Sequence, residues 1–245
     1  MPSHRQPLLL LPGLVCDETA WQAQIDALSD VAVCTCADYG SLDSLPAMAE
    51  AVLSSAPERF SVAGHSMGGR VALQVYRQAP HRVARIALLN TGYLPLPEDA
   101  AGEEETRKRG ELVALARSQG MPAMLRQWLP PMIAPSRIND QVLVNAIIEM
   151  MSRKTPGIFA AQVHALLTRP EATPILEQIR CPTLLLTGAE DGWSPPAQHE
   201  AMRAKLGAKT TSSELVVVPG SGHMSMMERP AEVSAALRAW LAQPI

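Results

Sequence analysis

Six short apolar runs punctuate the chain, each bounded by turn-forming residues: Leu8–Leu11, Val31–Cys36, Phe60–Ala63, Ile86–Leu89, Thr183–Leu186 and Leu215–Val218. Their near-continuous hydrophobicity predicts parallel strands covered on both faces rather than strands with one wet side. Between most of them apolar residues recur at helical spacing: Trp21, Ile25 and Leu28; Leu45, Met48, Ala49 and Val52; Val71, Val75 and Ala79. A last stripe, Val233, Ala236, Leu237, Trp240 and Leu241, ends the chain. Strands alternating with helices predict an α/β architecture with a doubly wound, mainly parallel sheet of about six strands and helices on both faces.

One interval breaks the rhythm. From Thr91 to about Ala172 there are helical patterns and no convincing strand, with Leu112–Leu115, Met124–Leu129 and Val142–Met151 as the clearest helices. Leu94-Pro95-Leu96-Pro97 opens the interval, and Arg169-Pro170 with Thr173-Pro174 closes it. Proline-rich ends read as hinges. The expected organisation is a core of residues 1–91 and 173–245 interrupted by a helical insertion, 92–172.

Composition narrows the setting. Apolar residues make up 47% and charged residues 18% of 245 residues, enough for a full core without a metal or disulfides. A net charge of −3 makes nucleic acid an unexpected partner. The apolar run Leu8–Leu11 is too short for a signal core of about 7–15 residues or a membrane span of about 20. The four cysteines (Cys16, Cys34, Cys36, Cys181) lack metal-site spacing. They are expected reduced and mostly buried, as in a cytoplasmic protein.

The candidate chemistry gathers at strand ends. Gly64-His65-Ser66-Met67-Gly68-Gly69 lies between the strand Phe60–Ala63 and the helix that follows. A serine at such a turn is strained, with its hydroxyl exposed above the sheet, and chain passing nearby requires glycine on either side. The helix start leaves the Met67 amide free for a developing oxyanion. A cap-only role for Ser66 is the alternative. A serine nucleophile needs a base. Among the histidines, His223 in Gly220-Ser221-Gly222-His223 follows the last strand and shares the carboxyl edge with Ser66. His4 lies in the N-terminal tail, His81 after a helix end, His164 in the insertion, and His199 on a surface-like helix. His65 reads as a packing residue at the turn. Asp191, in Gly188-Ala189-Glu190-Asp191, is the expected acid that orients the imidazole, with Glu190 as the alternative. A second oxyanion donor is expected at the Leu14 amide, in Leu11-Pro12-Gly13-Leu14. No metal or other cofactor is called for.

These markers, in this order, resemble the α/β-hydrolase superfamily over essentially the whole chain, with Trp21 and Glu228-Arg229-Pro230 similar to its flanking signatures. Within it the chain looks most like small bacterial esterases of the pimeloyl-carrier-protein methyl ester esterase and enol-lactonase type. The resemblance implies an α/β-hydrolase fold and ester hydrolysis. Only Met1–Gln6 precede Leu8, so the antiparallel hairpin with which many members begin is expected to be missing. Pro12 stands where relatives frequently carry histidine.

The expected function is therefore a serine carboxylesterase acting on small to medium esters through Ser66, Asp191, His223 and an acyl-enzyme. Lactone opening, C–C hydrolysis or perhydrolysis on the same residues is the alternative, and a non-catalytic ligand receptor a more distant one. The insertion is expected to form a lid, its Met121, Met124, Met132, Met150 and Met151 mostly packing between helices. After Glu105 it carries nine basic residues against four acidic ones. That excess, with Arg137, Arg153 and Lys154 as its test positions, raises an acyl-carrier protein as a partner alongside the small-molecule ester.

Overall fold

All six apolar runs are strands in the computed structural model, which describes residues 5–245. They are β1 (Gln6–Leu11), β2 (Ala32–Cys36), β3 (Phe60–His65), β4 (Val83–Leu89), β5 (Thr183–Gly188) and β6 (Ser213–Val218). Every pairing is parallel and the order is β2-β1-β3-β4-β5-β6. The chain winds outward to β2 on one side of β1 and through β3 to β6 on the other. The carboxyl ends of β1 and β3 therefore flank the switch point, where such sheets bind ligands.

Several strands outrun their apolar stretch. β4 begins at Val83 and takes in Arg85, whose guanidinium is satisfied by Gln6 Oε1 (2.8 Å) and the Gln243 carbonyl (3.0 Å). The expectation of two covered faces holds for β1, β3, β4 and β5 and fails at the edges. Alternate positions of β2 and most of β6 are partly exposed, with Val33 and Val217 at the surface.

The helices are α1 (Gln22–Leu28), α2 (Leu45–Ser55), α3 (Met67–Gln78), α4 (Ala100–Gln119), α5 (Met121–Trp128), α6 (Gln141–Ser152), α7 (Pro156–Leu167), α8 (Thr173–Leu176), α9 (Pro196–Lys205), α10 (Ser225–Glu228) and α11 (Pro230–Leu241). Helix α11 packs on α1, and α2 on α3, which in turn meets α8. Trp240 on α11 is fully buried and donates its indole N–H to the Pro182 carbonyl at 3.2 Å. Its truncation to alanine costs about 3–5 kcal/mol on general grounds.

Between β4 and β5 the described chain is helical, α4 to α8, without a strand. Local chemistry divides it. Asp99 caps α4 through the Ala101 amide, and Gly120 ends it at φ 84°; Asp140 and Thr155 cap α6 and α7. Helix α7 is the one the periodicity did not reveal, because it is apolar nearly all round and shows no single stripe. The two ends of the stretch are joined by a backbone bond from Ala172 N–H to the Tyr93 carbonyl, 3.1 Å. Among the described residues no helix is long and apolar enough to cross a membrane.

Candidate active site

Ser66 stands between β3 and α3 at φ 54°, ψ −116°, a conformation that costs a non-glycine residue free energy and is held by its surroundings. Its amide donates to the Leu89 carbonyl (2.9 Å), and its carbonyl accepts from Gly69 N–H (3.0 Å) and Thr91 Oγ1 (2.6 Å). The flanking glycines are steric requirements. A Cβ at Gly64 would lie 2.2 Å from the Gly68 carbonyl oxygen, and one at Gly68 would lie 2.0 Å from that of Leu11.

His223, on the loop after β6, brings Nε2 to 2.8 Å from Ser66 Oγ. Its Nδ1 lies 2.9 Å from Asp191 Oδ2, on the loop after β5. A carboxylate only accepts, so Nδ1 carries the proton and Nε2 is the acceptor for the serine hydroxyl. Asp191 is buried, whereas Glu190 beside it is exposed. Besides the imidazole, Asp191 accepts from Asn90 Nδ2 (2.9 Å) and from the amides of Trp193 and Ser194 (both 2.9 Å). Burial alone would raise its pKa. The adjacent imidazole and these donors outweigh it and hold the carboxyl well below the usual carboxylate range. Among the described residues, the Leu14 and Met67 amides donate to no protein acceptor, and both residues line the cavity above Ser66.

The remaining histidines separate cleanly. His81 and His164 are exposed, far from any such relay, and His4 lies outside the described residues. His65 is buried; its Nε2–H donates to the His223 carbonyl (2.8 Å), and its Nδ1 has no partner. Burial, with repulsion from His223, pushes its pKa down to about 3, so it is neutral. His199 lies on a helix that is largely at the surface, as expected, but on its inward face. It is fully buried, accepting from the Thr91 amide at 3.3 Å, and so backs the threonine that holds the Ser66 carbonyl. Helix α9 turns this histidine inward, which a mainly polar sequence did not suggest.

Sequence reasoning missed Asn90 and underused Glu228. Asn90 follows β4 at φ 47°, and besides Asp191 it bonds the Gly222 carbonyl (3.1 Å) and the Ser225 hydroxyl. A lone asparagine after an apolar strand is the signal, and αL backbone suits that residue type. Glu228 is buried and accepts from the amides of Gly222 (3.0 Å), Met224 (3.1 Å) and Ala134 (2.9 Å), tying the histidine loop to the helical stretch. His223 N–H also donates to the Met132 carbonyl, 2.7 Å.

Over the relay lies a cavity of about 850 Å³. Trp193 leans on the His223 ring (5.1 Å between centroids), stacks on Trp128 (5.6 Å), and Trp128 meets Phe159 (5.8 Å). Of the five methionines of the insertion, Met132 and Met151 line the cavity, while Met121, Met124 and Met150 are buried in packing. Cys16 also lines it, but burial pushes its thiol up to about 12, so no thiolate competes with Ser66 near neutral pH.

A hydroxyl, an imidazole and a carboxylate joined in series at the carboxyl edge of a doubly wound sheet can generate an alkoxide-like nucleophile beside two free amides. The chain belongs to the alpha/beta hydrolase family, whose profile matches residues 8–236. It is 26% identical to a pimeloyl-[acyl-carrier protein] methyl ester esterase of Nitrosomonas europaea over 91% of this chain and 90% of that protein. A thermophilic esterase of Thermogutta terrifontis, solved with malate bound, superposes with a TM-score of 0.85 at 28% identity, covering 98% of this chain and 90% of that one. The enol-lactonase of Burkholderia xenovorans superposes at 0.84 with 20% identity, covering 98% and 93%, a likeness of fold.

Proposed function

We propose that the protein is a serine carboxylesterase that works through an acyl-enzyme. His223 Nε2 takes the Ser66 proton as Oγ attacks the ester carbonyl, and Asp191 stabilises the imidazolium. The Leu14 and Met67 amides hold the oxyanion, each aimed donor contributing about 2.7–4 kcal/mol in the transition state. The imidazolium then protonates the departing alcohol. Water, deprotonated by the same nitrogen, attacks the acyl carbonyl and returns Ser66. The helices of 92–172 serve as a lid, with Trp128 and Trp193 walling off the reacting bond.

The Ser66–His223–Asp191 relay at the floor of the cavity carries this reading. Fluorophosphonate labelling tests the nucleophile, and p-nitrophenyl esters of increasing chain length measure the cavity. Ser66→Ala should abolish labelling and lower ester turnover by about three orders of magnitude or more; unchanged turnover rules the assignment out.

Relatives named for a carrier-protein ester favour a carrier-linked substrate as a second reading. Seven of the nine basic residues counted after Glu105 form ion pairs, Arg137 with Asp140, Arg153 with Asp17 and Lys154 with Asp38 among them. Among the described residues, Arg117 and Arg126 are exposed without such a pair. Carrier docking on the insertion thus predicts that charge reversal at Arg117 and Arg126 outweighs reversal at Arg137, Arg153 and Lys154. Carrier-ester activity indifferent to all five and to salt sinks it.

A further inference from the structure

Arg70 lies four residues past Ser66, one turn along α3 and about 6 Å of rise, and it lines the same cavity. Its protein hydrogen bond runs from Nη1 to the Leu94 carbonyl, 2.9 Å. Among the described residues no carboxylate pairs with it. A guanidinium offers five donors in a planar fork, so most of this fork is unoccupied.

The neighbouring carboxylates are already committed. Glu105 receives Arg169 through both oxygens (2.8 Å each) and Arg109 Nε at 2.9 Å. Glu171 is exposed and accepts from the Thr173 amide. Charged residues lining the cavity are Arg70, Lys108, Arg109 and Arg169 against Glu104 and Glu105, and Glu104 is shared with Arg107 outside the wall. The cavity therefore carries an excess of positive charge near Arg70. Room is made for that guanidinium: a Cβ on Gly92 would lie 2.8 Å from Nη2 and 2.5 Å from Gln198 Nε2. Burial, with repulsion from Arg169, lowers the Arg70 pKa to about 9, which leaves it charged near neutral pH. Glu105 and Glu171 lie close enough to offset part of that repulsion, but both are engaged by other donors, so the half-buried guanidinium keeps donors free for an incoming anion.

We propose that Arg70 anchors a carboxylate subsite, and that the substrate is an ester carrying a free carboxylate. The carboxylate sits on the acyl side in a half-ester of a dicarboxylic acid, or on the alcohol side in an acylated hydroxy acid. The substrate class rests on Ser66 being the nucleophile; the subsite does not.

Two matched series separate the sides. Monomethyl succinate, glutarate and adipate are compared with methyl butyrate, valerate and hexanoate; 3-acetoxypropionate is compared with propyl acetate. In the wild-type protein the anionic member of one series should exceed its neutral partner in kcat/KM. Arg70→Met should lower that ratio about 10- to 100-fold, the range of a charge-assisted bond to a carboxylate. Arg70→Lys should give an intermediate ratio, because an ammonium is a point charge without the fork. Gly92→Ala, which crowds the guanidinium, should lower the ratio in the same sense.

Calorimetry with glutarate and valerate reads the subsite without turnover. Glutarate should bind the wild-type protein more tightly than valerate, and the difference should vanish in Arg70→Met. Glutarate binding without fluorophosphonate labelling keeps the subsite and removes the nucleophile. Ester turnover with no anionic preference in either series and no glutarate binding overturns the subsite and keeps the esterase. Should Arg70→Met not fold, the wild-type ratios and glutarate binding, weakened by salt, decide alone.

Discussion

The carboxyl edge of the sheet and the helical stretch between β4 and β5 face the same cavity but are built on different terms. At the sheet edge each candidate group follows the carboxyl end of a strand and is fixed by several bonds: Asp191 accepts four, and the Ser66 backbone is held by Leu89, Gly69 and Thr91. The helical stretch meets the core in two ways: through buried bonds, Ala134 N–H to Glu228, His223 N–H to the Met132 carbonyl and Val15 N–H to Gln162, and through ion pairs nearer the surface, Arg153 on Asp17 and Lys154 on Asp38. On the proposed function, chemistry that tolerates little displacement sits at the strand ends, and the helical wall sets what enters.

The sharpest way to break this comparison is at Asp191. Asp191→Asn keeps the shape but puts an amide where a charge and a fixed tautomer are needed, and kcat should fall by about 10⁴-fold with little change in KM. A loss below tenfold would mean that the sheet edge is not where the chemistry is set. Asn90→Ala comes next. It removes the donor to Asp191 and frees the Gly222 carbonyl while leaving the relay intact. The expected loss is about 10- to 100-fold in kcat, again at nearly constant KM. Steady-state kinetics on a p-nitrophenyl ester separates the two parameters.

Legibility in the sequence follows the same division. Gly64-His65-Ser66-Met67-Gly68, Asp191 and His223 could be read because each sits directly after an apolar run, and strand ends of a parallel sheet share one edge. Asn90 sits in the same kind of place and escaped because a single asparagine carries no spacing pattern. In the insertion, the count of nine basic residues suggested a free positive face. The carboxylates that answer Arg153 and Lys154 are Asp17 and Asp38, more than a hundred residues away, and no local count contains them. Helix α7 was invisible for a different reason: its sequence is apolar nearly all round, so no polar face sets off the stripe that Phe159, Gln162, Val163 and Leu166 bury.

His65 sharpens the comparison through pH. Burial, with the nearby His223, lowers its pKa to about 3 in the folded protein, against 6.5 in the unfolded chain. Between those values the unfolded chain binds a proton that the folded one refuses, so stability falls as pH drops below about 6.5 and stops falling near 3. The slope is about 1.4 kcal/mol per pH unit at most. Asp191, with a lowered pKa, adds to the loss only as pH falls below the ordinary carboxylate range. Urea midpoints at pH 7 and pH 5 should drop less in His65→Gln than in the parent protein. An equal drop would place the acid-sensitive group elsewhere.

The smallest effect is expected where the insertion is tied down. Arg153 reaches both carboxylate oxygens of Asp17 (2.9 Å each) and the Thr19 hydroxyl (2.6 Å), a bidentate geometry better than most surface pairs, but with the arginine about half exposed. Solvent and salt screen it, so Arg153→Ala should cost less than about 1 kcal/mol of global stability. Its local effect should be larger in kind, because the pair joins the end of α6 to the turn that follows the Leu14 loop. A double-mutant cycle with Asp17→Ala isolates the coupling, and hydrogen exchange in α6 and α7 reads the loosening. If exchange rises there while the relay residues stay protected, the wall and the edge are separable; if both loosen together, they are one cooperative unit and the division fails.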